Sequence, residues 1–239
     1  MKIIAHRGSS GTYPENTLAA FQAAANLRVD GVEFDVHMTK DGELVVIHDE
    51  TIDRTTNGGG YIKDFTYKEL RQYDAGSWFS PTFANEKIPA LEEVLSIFKE
   101  TNMTVNVELK SDIVPYEGMT ERVLRMVHDF DMEEQVIISS FDHEALEQAK
   151  QLAPHVQTAL LTMEVMVDVA DYAHLLKAEA IHIALPAAYR KMTKVALSKG
   201  AIIRVFTVND VVQATELLEI GVHAIFTDYP EKMVDLVNE

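Results

Sequence analysis

Apolar and amphipathic segments alternate along the chain in a regular order. Short apolar runs, typical of buried strands, recur eight times, and segments with the helical spacing of apolar residues lie between them. The predicted strands are Ile3–Ala5, Val32–Val36, Thr104–Glu108, Val136–Ser139, Gln157–Leu161, Ala180–Ala184, Ala201–Phe206 and His223–Phe226. The predicted helices are Thr17–Leu27, Ala90–Glu100, Glu117–Phe130, His143–Leu152, Val165–Lys177, Ala187–Lys199, Val211–Ile220 and Glu231–Val237. This alternation favours a parallel sheet closed into a barrel over an open sheet.

The length and composition of the chain agree with a single barrel. A chain of 239 residues with 47% hydrophobic content can bury a full core, and about 250 residues is typical of the α/β barrel. We therefore predict an α/β protein with the (β/α)8 TIM-barrel fold, forming one domain over residues 1–239. Asn16, Asp142 and Asn209 are predicted to cap the helices that follow them.

One segment, about residues 37–87, interrupts the alternation after the second strand. It is rich in turn residues, and loops of this length are usually functional. Because it leaves the carboxyl end of a strand, it should lie on the barrel face where active sites of this fold are built. Leu44–Ile47 can return as a strand, and we expect Trp78, Phe79 and Phe83 to belong to a small cap that helps shape a substrate pocket.

Acidic side chains share one face of two predicted strands. Because strand side chains repeat every two residues, Glu33 and Asp35 lie on the same face, as do Glu108 and Lys110 of the third strand. Neighbouring carboxylates repel unless a cation lies between them, and hard divalent cations prefer oxygen ligands. We therefore predict that Glu33, Asp35 and Glu108 bind one divalent cation, Mg²⁺ or Ca²⁺, with Lys110 beside it.

Two histidines and an arginine are predicted to join these carboxylates. His6 and Arg7 stand just past the first strand, and the returning strand Leu44–Ile47 places His48 over the same mouth of the barrel. Two imidazoles, a cationic side chain and a cluster of carboxylates are the groups that metal-assisted cleavage of a phosphate ester requires.

Several candidate residues, and the other histidines of the chain, also have a purely structural interpretation. An isolated histidine is more often a hydrogen-bonding residue than a catalyst, and we apply that interpretation to His128, His143, His155, His174, His182 and His223. Glu108 and Lys110 could form a simple ion pair, and Glu15 and Asn16 could only cap the first helix. His37 shares the face of Glu33 and is either a further lining residue or the start of the insertion.

Sequence motifs follow one another in a fixed order along nearly the whole chain. They are HRGSSGTYPENT from His6, GVEFDVHMTKDGELVVIHDETIDRTTNGGG from Gly31, and the later segments Asp74–Phe79, Ile88–Val94, Val107–Lys110, Ser140–Phe141, Thr207–Asn209 and Thr227–Pro230. Any one of them is a weak signal, but the combination is specific. It resembles the glycerophosphodiester phosphodiesterase family.

The resemblance implies hydrolysis of a glycerophosphodiester to sn-glycerol 3-phosphate and an alcohol. It implies paired-histidine catalysis, with His6 on the base or nucleophile side and His48 as the acid, although the sequence leaves that order open. Arg7 and Lys110 are expected to neutralise phosphate oxygens, and Phe206 to pack on glycerol carbons. Many members have tryptophan in place of Phe206, so this chain lacks an indole N–H donor there, which leaves its substrate preference open.

Two other functions are compatible with the sequence. The first is a lysophospholipase D or another lipid phosphodiesterase of the same barrel class, which requires an apolar entry surface, for which Trp78–Phe83 is the candidate. The second is a non-catalytic module that binds glycerol phosphates, which the paired histidines disfavour. Some lipid phosphodiesterases of this barrel class, here called metal-independent lipases, need no metal. Loss of activity in EDTA would separate the predicted enzyme from such a lipase.

Charge and composition limit the kinds of molecule that the protein is expected to bind. A formal net charge of −17 argues against binding nucleic acid or anionic membrane surfaces, since both demand basic patches. The chain has 0 cysteines, no apolar run near the roughly 20 residues that span a bilayer, and no signal-peptide pattern at its amino terminus. We expect a cytoplasmic protein with a small-molecule glycerophosphodiester substrate and without stable membrane insertion. The sequence leaves homodimerisation open.

Overall fold

In the computed structural model, which describes residues 1–27 and 29–234, nine strands form one sheet. They are β1 (Lys2–His6), β2 (Gly31–Met38), β3 (Leu44–Val46), β4 (Thr104–Leu109), β5 (Val136–Ser140), β6 (Gln157–Thr162), β7 (Ala180–Ala184), β8 (Ile202–Phe206) and β9 (Ala224–Thr227). The order is β1-β9-β8-β7-β6-β5-β4-β2-β3, and pairing of β1 with β2 closes the sheet. Eight of the strands are parallel, so the predicted (β/α)8 barrel is confirmed.

The register of the first strands aligns the polar residues predicted for the site. β1 pairs with β2 so that His6 lies opposite Glu33, and β2 pairs with β4 so that Asp35 lies opposite Glu108. Since residues opposite one another in a sheet point to the same side, these four side chains project together into the barrel.

Helices cover the outside of the barrel, except for the short second helix, which belongs to the segment after β2 and packs in a separate apolar cluster. They are α1 (Leu18–Ala25), α2 (Tyr67–Leu70), α3 (Leu91–Phe98), α4 (Met119–Asp129), α5 (His143–Leu152), α6 (Val169–Leu175), α7 (Leu185–Ala188), α8 (Lys191–Ser198), α9 (Val211–Ile220) and α10 (Pro230–Met233). The main core lies between helices and strands, where the rings of Phe21 and Phe34 are 5.6 Å apart and those of Phe21 and Phe98 are 6.2 Å apart.

Two helix predictions are wrong in their extent. The segment predicted as helix from Ala187 to Lys199 is two helices, because Arg190 is extended (φ −87°, ψ 161°) and interrupts the helical backbone. The first of them starts earlier than predicted, with Pro186 in its first turn, where a missing N–H costs nothing. The helix predicted from Val165 begins at Val169 instead. Residues 235–237 of the predicted last helix lie outside the described residues.

Cap residues differ from the prediction at two helices. Asp142 caps α5 as predicted. Thr17, rather than Asn16, caps α1, and Asp210, rather than Asn209, caps α9. Both asparagines instead donate hydrogen bonds to aspartates of the site.

The segment between β2 and α3 has a small core of its own. β3 returns antiparallel to β2, as predicted for Leu44–Ile47, and is followed by α2 and two 3₁₀ turns, Ile62–Asp64 and Pro81–Phe83. Its buried apolar residues form a cluster separate from the main core, namely Val45, Ile47, Ile52, Ile62, Leu70, Ala75 and Ile88. Among the described residues, no helix has both the length and the apolar character to cross a bilayer.

Candidate active site

Three acidic side chains of β2 and β4 form the centre of the site. Glu33, Asp35 and Glu108 are almost fully buried, with 3%, 1% and 9% of their surface exposed. Each can offer one carboxylate oxygen such that the three oxygens lie within 4.8 Å of one another. Like charges at this separation, away from water, are unstable unless something compensates them.

The cluster changes the pKa values of its members. Burial, together with repulsion from Asp35 and Glu108, raises the pKa of Glu33 well above its usual range. Burial and Asp35 likewise raise the pKa of Glu108 to about 7. At Asp35 the effect of burial is outweighed by Arg7 and other cationic neighbours, which lower its pKa to about 2. The site therefore favours any cation that lets all three carboxylates ionise.

The donor set fits a hard divalent cation. All three ligand groups are carboxylates, which Mg²⁺ and Ca²⁺ prefer. Within the described part of the chain, the buried Oε1 atom of Glu33 has no hydrogen-bond partner. An unpaired buried carboxylate oxygen is costly, and coordination of a cation would satisfy it. Glu33, Asp35 and Glu108 could thus hold a divalent metal ion.

His6 ends β1, and its ring is oriented by Asp228. The Nδ1 atom lies 2.6 Å from Asp228 Oδ1. Asp228 also accepts hydrogen bonds from Ser10 Oγ at 3.1 Å and from Asn209 Nδ2 at 2.6 Å. These bonds outweigh burial and lower the pKa of Asp228 to about 2. The arrangement leaves Nε2 of His6 toward the acidic cluster, 3.9 Å from Glu33 Oε2.

His48 follows β3 and reaches the same cavity. Its Nδ1 atom lies 2.7 Å from Asp49 Oδ1. Behind it, the buried ring of His37 contacts the His48 carbonyl oxygen through Nε2 at 3.1 Å and the Tyr116 hydroxyl through Nδ1 at 3.0 Å. Burial, aided by nearby cationic side chains, lowers the pKa of His48. His37 therefore supports the backbone of His48.

Arg7 and Gly8 turn the chain sharply after β1. Arg7 has the left-handed φ of 54°, and its backbone N–H donates to Glu33 Oε2 at 3.0 Å. Gly8 has φ 78°, and a Cβ atom there would lie 2.7 Å from the backbone carbonyl carbon of Ala20. A side chain at position 8 would push the loop away from α1, which explains glycine after His6 and Arg7.

A network of charges links the His6 loop to the His48 loop. Arg7 Nη1 donates to Glu15 Oε1 at 2.8 Å, and Arg7 Nε lies 3.4 Å from Asp35 Oδ2. Arg54, in the insertion, donates to both oxygens of Glu15 at 2.8 Å and to both oxygens of Asp49 at 2.7 and 3.0 Å. Two arginines thus join the two loops through Glu15 and Asp49.

Lys110 lies beside the acidic cluster. Its Nζ atom donates to Glu108 Oε1 at 3.0 Å and lies 5.9 Å from the centroid of the Phe141 ring. The neighbouring carboxylates outweigh burial and raise the pKa of Lys110. A charged ammonium is therefore held beside Glu108.

One cavity of about 170 Å³ lies beside these side chains at the carboxyl ends of the strands. Its polar side is formed by His6, Arg7, Glu33, Asn106, Glu108 and His48. Its apolar side is formed mainly by Phe141, Leu161, Met163, Phe206 and Phe226. Phe206 packs edge-on against Phe141, with ring centroids 6.1 Å apart. The cavity thus offers charged groups on one side and apolar surface on the other.

The aromatic residues of the insertion were expected to help shape this cavity, but they do not line it. In the described parts of the chain, Trp78, Phe79 and Phe83 are not among the residues that line it. Phe79 and Phe83 pack on each other with centroids 5.9 Å apart, and Trp78 donates its indole N–H to the Ala75 carbonyl. Strand ends and the loops that follow them supply the apolar side instead.

The structure brings the eight residues predicted for the site together and adds others. Seven of the eight line the cavity or form the acidic cluster, and Lys110 bonds to Glu108. Sequence reasoning assigned no site role to Asp228, Asp49, Arg54, Glu15 or Asn16. All five lie within the quoted motifs, which was the available signal. His182, treated as a structural residue, lines the cavity and contacts Arg204 Nη1 through Nε2 at 2.9 Å.

The fold and the site together define a TIM-barrel enzyme that carries its polar groups at the carboxyl ends of its strands. Residues 6–232 match the Glycerophosphoryl diester phosphodiesterase family. The chain belongs to this family, and it is a phosphoric diester hydrolase.

Named relatives cover nearly the whole chain. It is 41% identical over 237 residues to the glycerophosphodiester phosphodiesterase of Caldanaerobacter subterraneus subsp. tengcongensis, covering 99% of this chain and 98% of that protein. A phosphodiesterase of Oleispira antarctica, solved with its product sn-glycerol-3-phosphate, is 32% identical with a TM-score of 0.90, covering 100% and 97% of the two chains. A glycerophosphodiester phosphodiesterase of Agrobacterium tumefaciens is 30% identical with a TM-score of 0.82, covering 97% of each chain.

Proposed function

We propose that the protein hydrolyses glycerophosphodiesters to sn-glycerol 3-phosphate and an alcohol by metal-dependent, paired-histidine catalysis. One observation carries the proposal: two imidazoles and Arg7 line a single cavity beside a buried cluster of three carboxylates, to which Lys110 is bonded through Glu108. A module that only binds glycerol phosphates has no need of paired proton carriers, and a metal-independent lipase has no need of the acidic cluster.

Glu33, Asp35 and Glu108 would hold the divalent cation. When bound, a Mg²⁺ or Ca²⁺ ion supplies a Lewis acid that polarises the phosphoryl group and offsets its charge. Oxygen ligands suit either ion. The chain prepares the position by burying Glu33, Asp35 and Glu108 side by side on two paired strands.

Arg7, Lys110 and Phe206 would position the diester. Arg7 and Lys110 neutralise phosphoryl oxygens, the first through a planar fork of donors and the second as a compact charge. Both are already held in place by carboxylates, Arg7 by Glu15 and Lys110 by Glu108. Phe206 offers an aromatic face on the apolar side of the cavity for the carbons of glycerol.

His6 and His48 would move the protons. One imidazole accepts a proton from the attacking oxygen, and the other donates a proton to the departing alkoxide. Each has an aspartate at Nδ1, which leaves Nε2 available to the substrate. Histidine suits both roles because its ordinary pKa is about 6.5.

Metal removal tests the proposal. We expect release of glycerol 3-phosphate from glycerophosphocholine with saturating Mg²⁺ or Ca²⁺, loss of that activity in excess EDTA, and recovery when metal is restored. Glu108→Gln should lower kcat/KM by about a hundredfold or more, because it removes a ligand of the cation. Glu147→Gln, at an exposed position of α5, is the matched control and should have no effect. Undiminished hydrolysis in EDTA would contradict the proposal.

The roles of the histidines can be separated by the leaving group. His6→Ala and His48→Ala should each lower kcat on glycerophosphocholine by about 10²- to 10⁴-fold with the fold intact by circular dichroism. On the p-nitrophenyl ester of glycerol 3-phosphate, whose leaving group needs no proton, the variant that lacks the acid should recover most activity. His174→Ala, on the exposed side of α6, is the control. Near-normal kinetics of either variant on glycerophosphocholine would refute its assignment.

A further inference from the structure

The loop between β6 and α6 exposes a group of apolar side chains beside the cavity. Met163, Val165 and Val167 are 62%, 56% and 81% exposed. They are three of the twelve large hydrophobic side chains that are exposed among the described residues, yet they fall within five consecutive positions. Single exposed apolar residues are normal, whereas a group of them at the rim of a site marks an interaction surface. We call these three residues the apolar rim.

Contacts of the neighbouring residues keep the side chains of the apolar rim exposed to solvent. Thr162 Oγ1 accepts a hydrogen bond from the Glu164 N–H at 3.0 Å, which turns the chain as β6 ends. Met166, between the two valines, packs on the main core and anchors the loop. The buried Val169 then starts α6. With Met166 anchored inward, the side chains on either side of it are left in solvent.

The apolar rim is continuous with the apolar side of the cavity. Met163 belongs to both, since it lines the cavity together with Leu161, Phe141 and Phe206. The carboxylates and imidazoles lie on the ends of β1 to β4, whereas these apolar residues follow or end β5, β6 and β8. A path of apolar surface therefore leads from the reacting side chains to solvent over the β6–α6 loop.

The size of the cavity leaves part of the substrate outside. At about 170 Å³ it is smaller than the range of about 300–1,000 Å³ typical of pockets that enclose whole ligands. The relative from Oleispira antarctica binds sn-glycerol-3-phosphate. If glycerol and phosphate fill the cavity, the departing alcohol must extend toward the rim.

We infer that the apolar rim binds a hydrocarbon chain on the departing alcohol, so that preferred substrates are diesters of glycerol 3-phosphate with an alkyl alcohol. This inference rests on the proposed function. Water supplies the oxygen that joins phosphorus, the bond between phosphorus and the alkyl oxygen breaks, and the alcohol leaves with a proton. Glu164 within the loop and the net charge of −17 oppose an anionic bilayer surface. The occupant is therefore the chain of one substrate molecule.

A series of alkyl esters tests the inference. We expect kcat/KM to rise about tenfold from the ethyl to the octyl ester of sn-glycerol 3-phosphate, both with the same charge and below micellar concentrations. In the double variant Val165→Ser/Val167→Ser, the ratio of octyl to ethyl kcat/KM should fall to near 1, because the chain loses its apolar contact. Leu175→Ser, 75% exposed at the far end of α6, is the matched control and should keep the ratio of the parent protein.

The outcomes distinguish this inference from the proposed function. Equal kcat/KM for both esters would overturn the inference while hydrolysis of the ethyl ester upheld the function, and an unaltered ratio in the double variant would also overturn it. Hydrolysis of neither ester under saturating metal would contradict the function itself. Lysophosphatidylcholine carries its chain on glycerol instead, so its hydrolysis should be slower than that of the octyl ester. Faster hydrolysis would place the chain on the glycerol side and refute the assignment.

Discussion

The two imidazoles of the site have the same arrangement, with an aspartate at each Nδ1 atom. His6 Nδ1 is 2.6 Å from Asp228, and His48 Nδ1 is 2.7 Å from Asp49. An ionised carboxylate can only accept a hydrogen bond, so each Nδ1 carries a proton and, in the proposed mechanism, Nε2 is the atom that exchanges one with substrate. The aspartates differ in their surroundings, since Asp228 is held by Ser10 and Asn209. Asp228 is therefore a positioning residue for His6.

Replacing this carboxylate should impair turnover more than binding. Asp228→Asn replaces the carboxylate that accepts a hydrogen bond from His6 Nδ1 and orients its ring, so we expect kcat to fall about 10²- to 10⁴-fold with KM changed little. Asp171→Asn, at an exposed aspartate paired with Lys199, is the matched control. A rise in KM with kcat preserved would show that Asp228 has only a structural role.

Single residues show which parts of the site were predictable. The two-residue repeat of strand side chains sufficed to place Glu33 and Asp35 on one face, since that rule is local. The pairing of His6 with Asp228 spans 222 positions of the chain and follows only from closure of the barrel. Asn16 was predicted as a helix cap because asparagine favours that position, but its side chain donates to Asp35 at 2.9 Å. Tertiary contacts overrode local preference there.

At the level of elements, the periodic parts of the chain were predictable and the irregular parts were not. Strands β1 to β9 coincide with apolar runs of the sequence, and α5 and α9 have their predicted bounds. The insertion has little periodicity, because its residues pack on a small core and are joined to the barrel by specific ion pairs. One of these, around Arg54, connects the insertion to Glu15 of the β1–α1 loop and to Asp49 beside His48.

Weakening this connection should alter the site without unfolding the protein. Arg54→Lys keeps the positive charge but cannot bind two carboxylates with a planar fork, so we expect kcat/KM to fall about tenfold as the His48 loop loosens. The melting temperature should change little, since the Arg54 side chain is 43% exposed. Arg71→Lys, in the same insertion but paired with Glu93, is the control. Equal kcat/KM in Arg54→Lys and the parent protein would show that the network does not position His48.

On the scale of the whole molecule, net charge and local charge oppose each other. The protein carries a formal charge of −17, so an anionic diester is repelled as it approaches. In the proposed mechanism Arg7 and Lys110 provide local compensation, because both side chains are mostly buried and weakly screened by salt. Long-range repulsion is screened by salt, whereas the contacts inside the cavity largely are not.

Ionic strength should therefore affect substrates according to their charge. For the anionic diester glycerophosphoglycerol, we expect kcat/KM to rise about two- to tenfold between 0.01 and 0.15 M salt, as the Debye length falls from about 30 to about 8 Å. Zwitterionic glycerophosphocholine has no net charge and serves as the matched substrate, so the ratio of the two kcat/KM values cancels any effect of salt on metal binding. The measurement is steady-state kinetics at one metal concentration. A ratio that falls with salt would mean that the positive field of Arg7 and Lys110 extends into solvent and dominates the encounter.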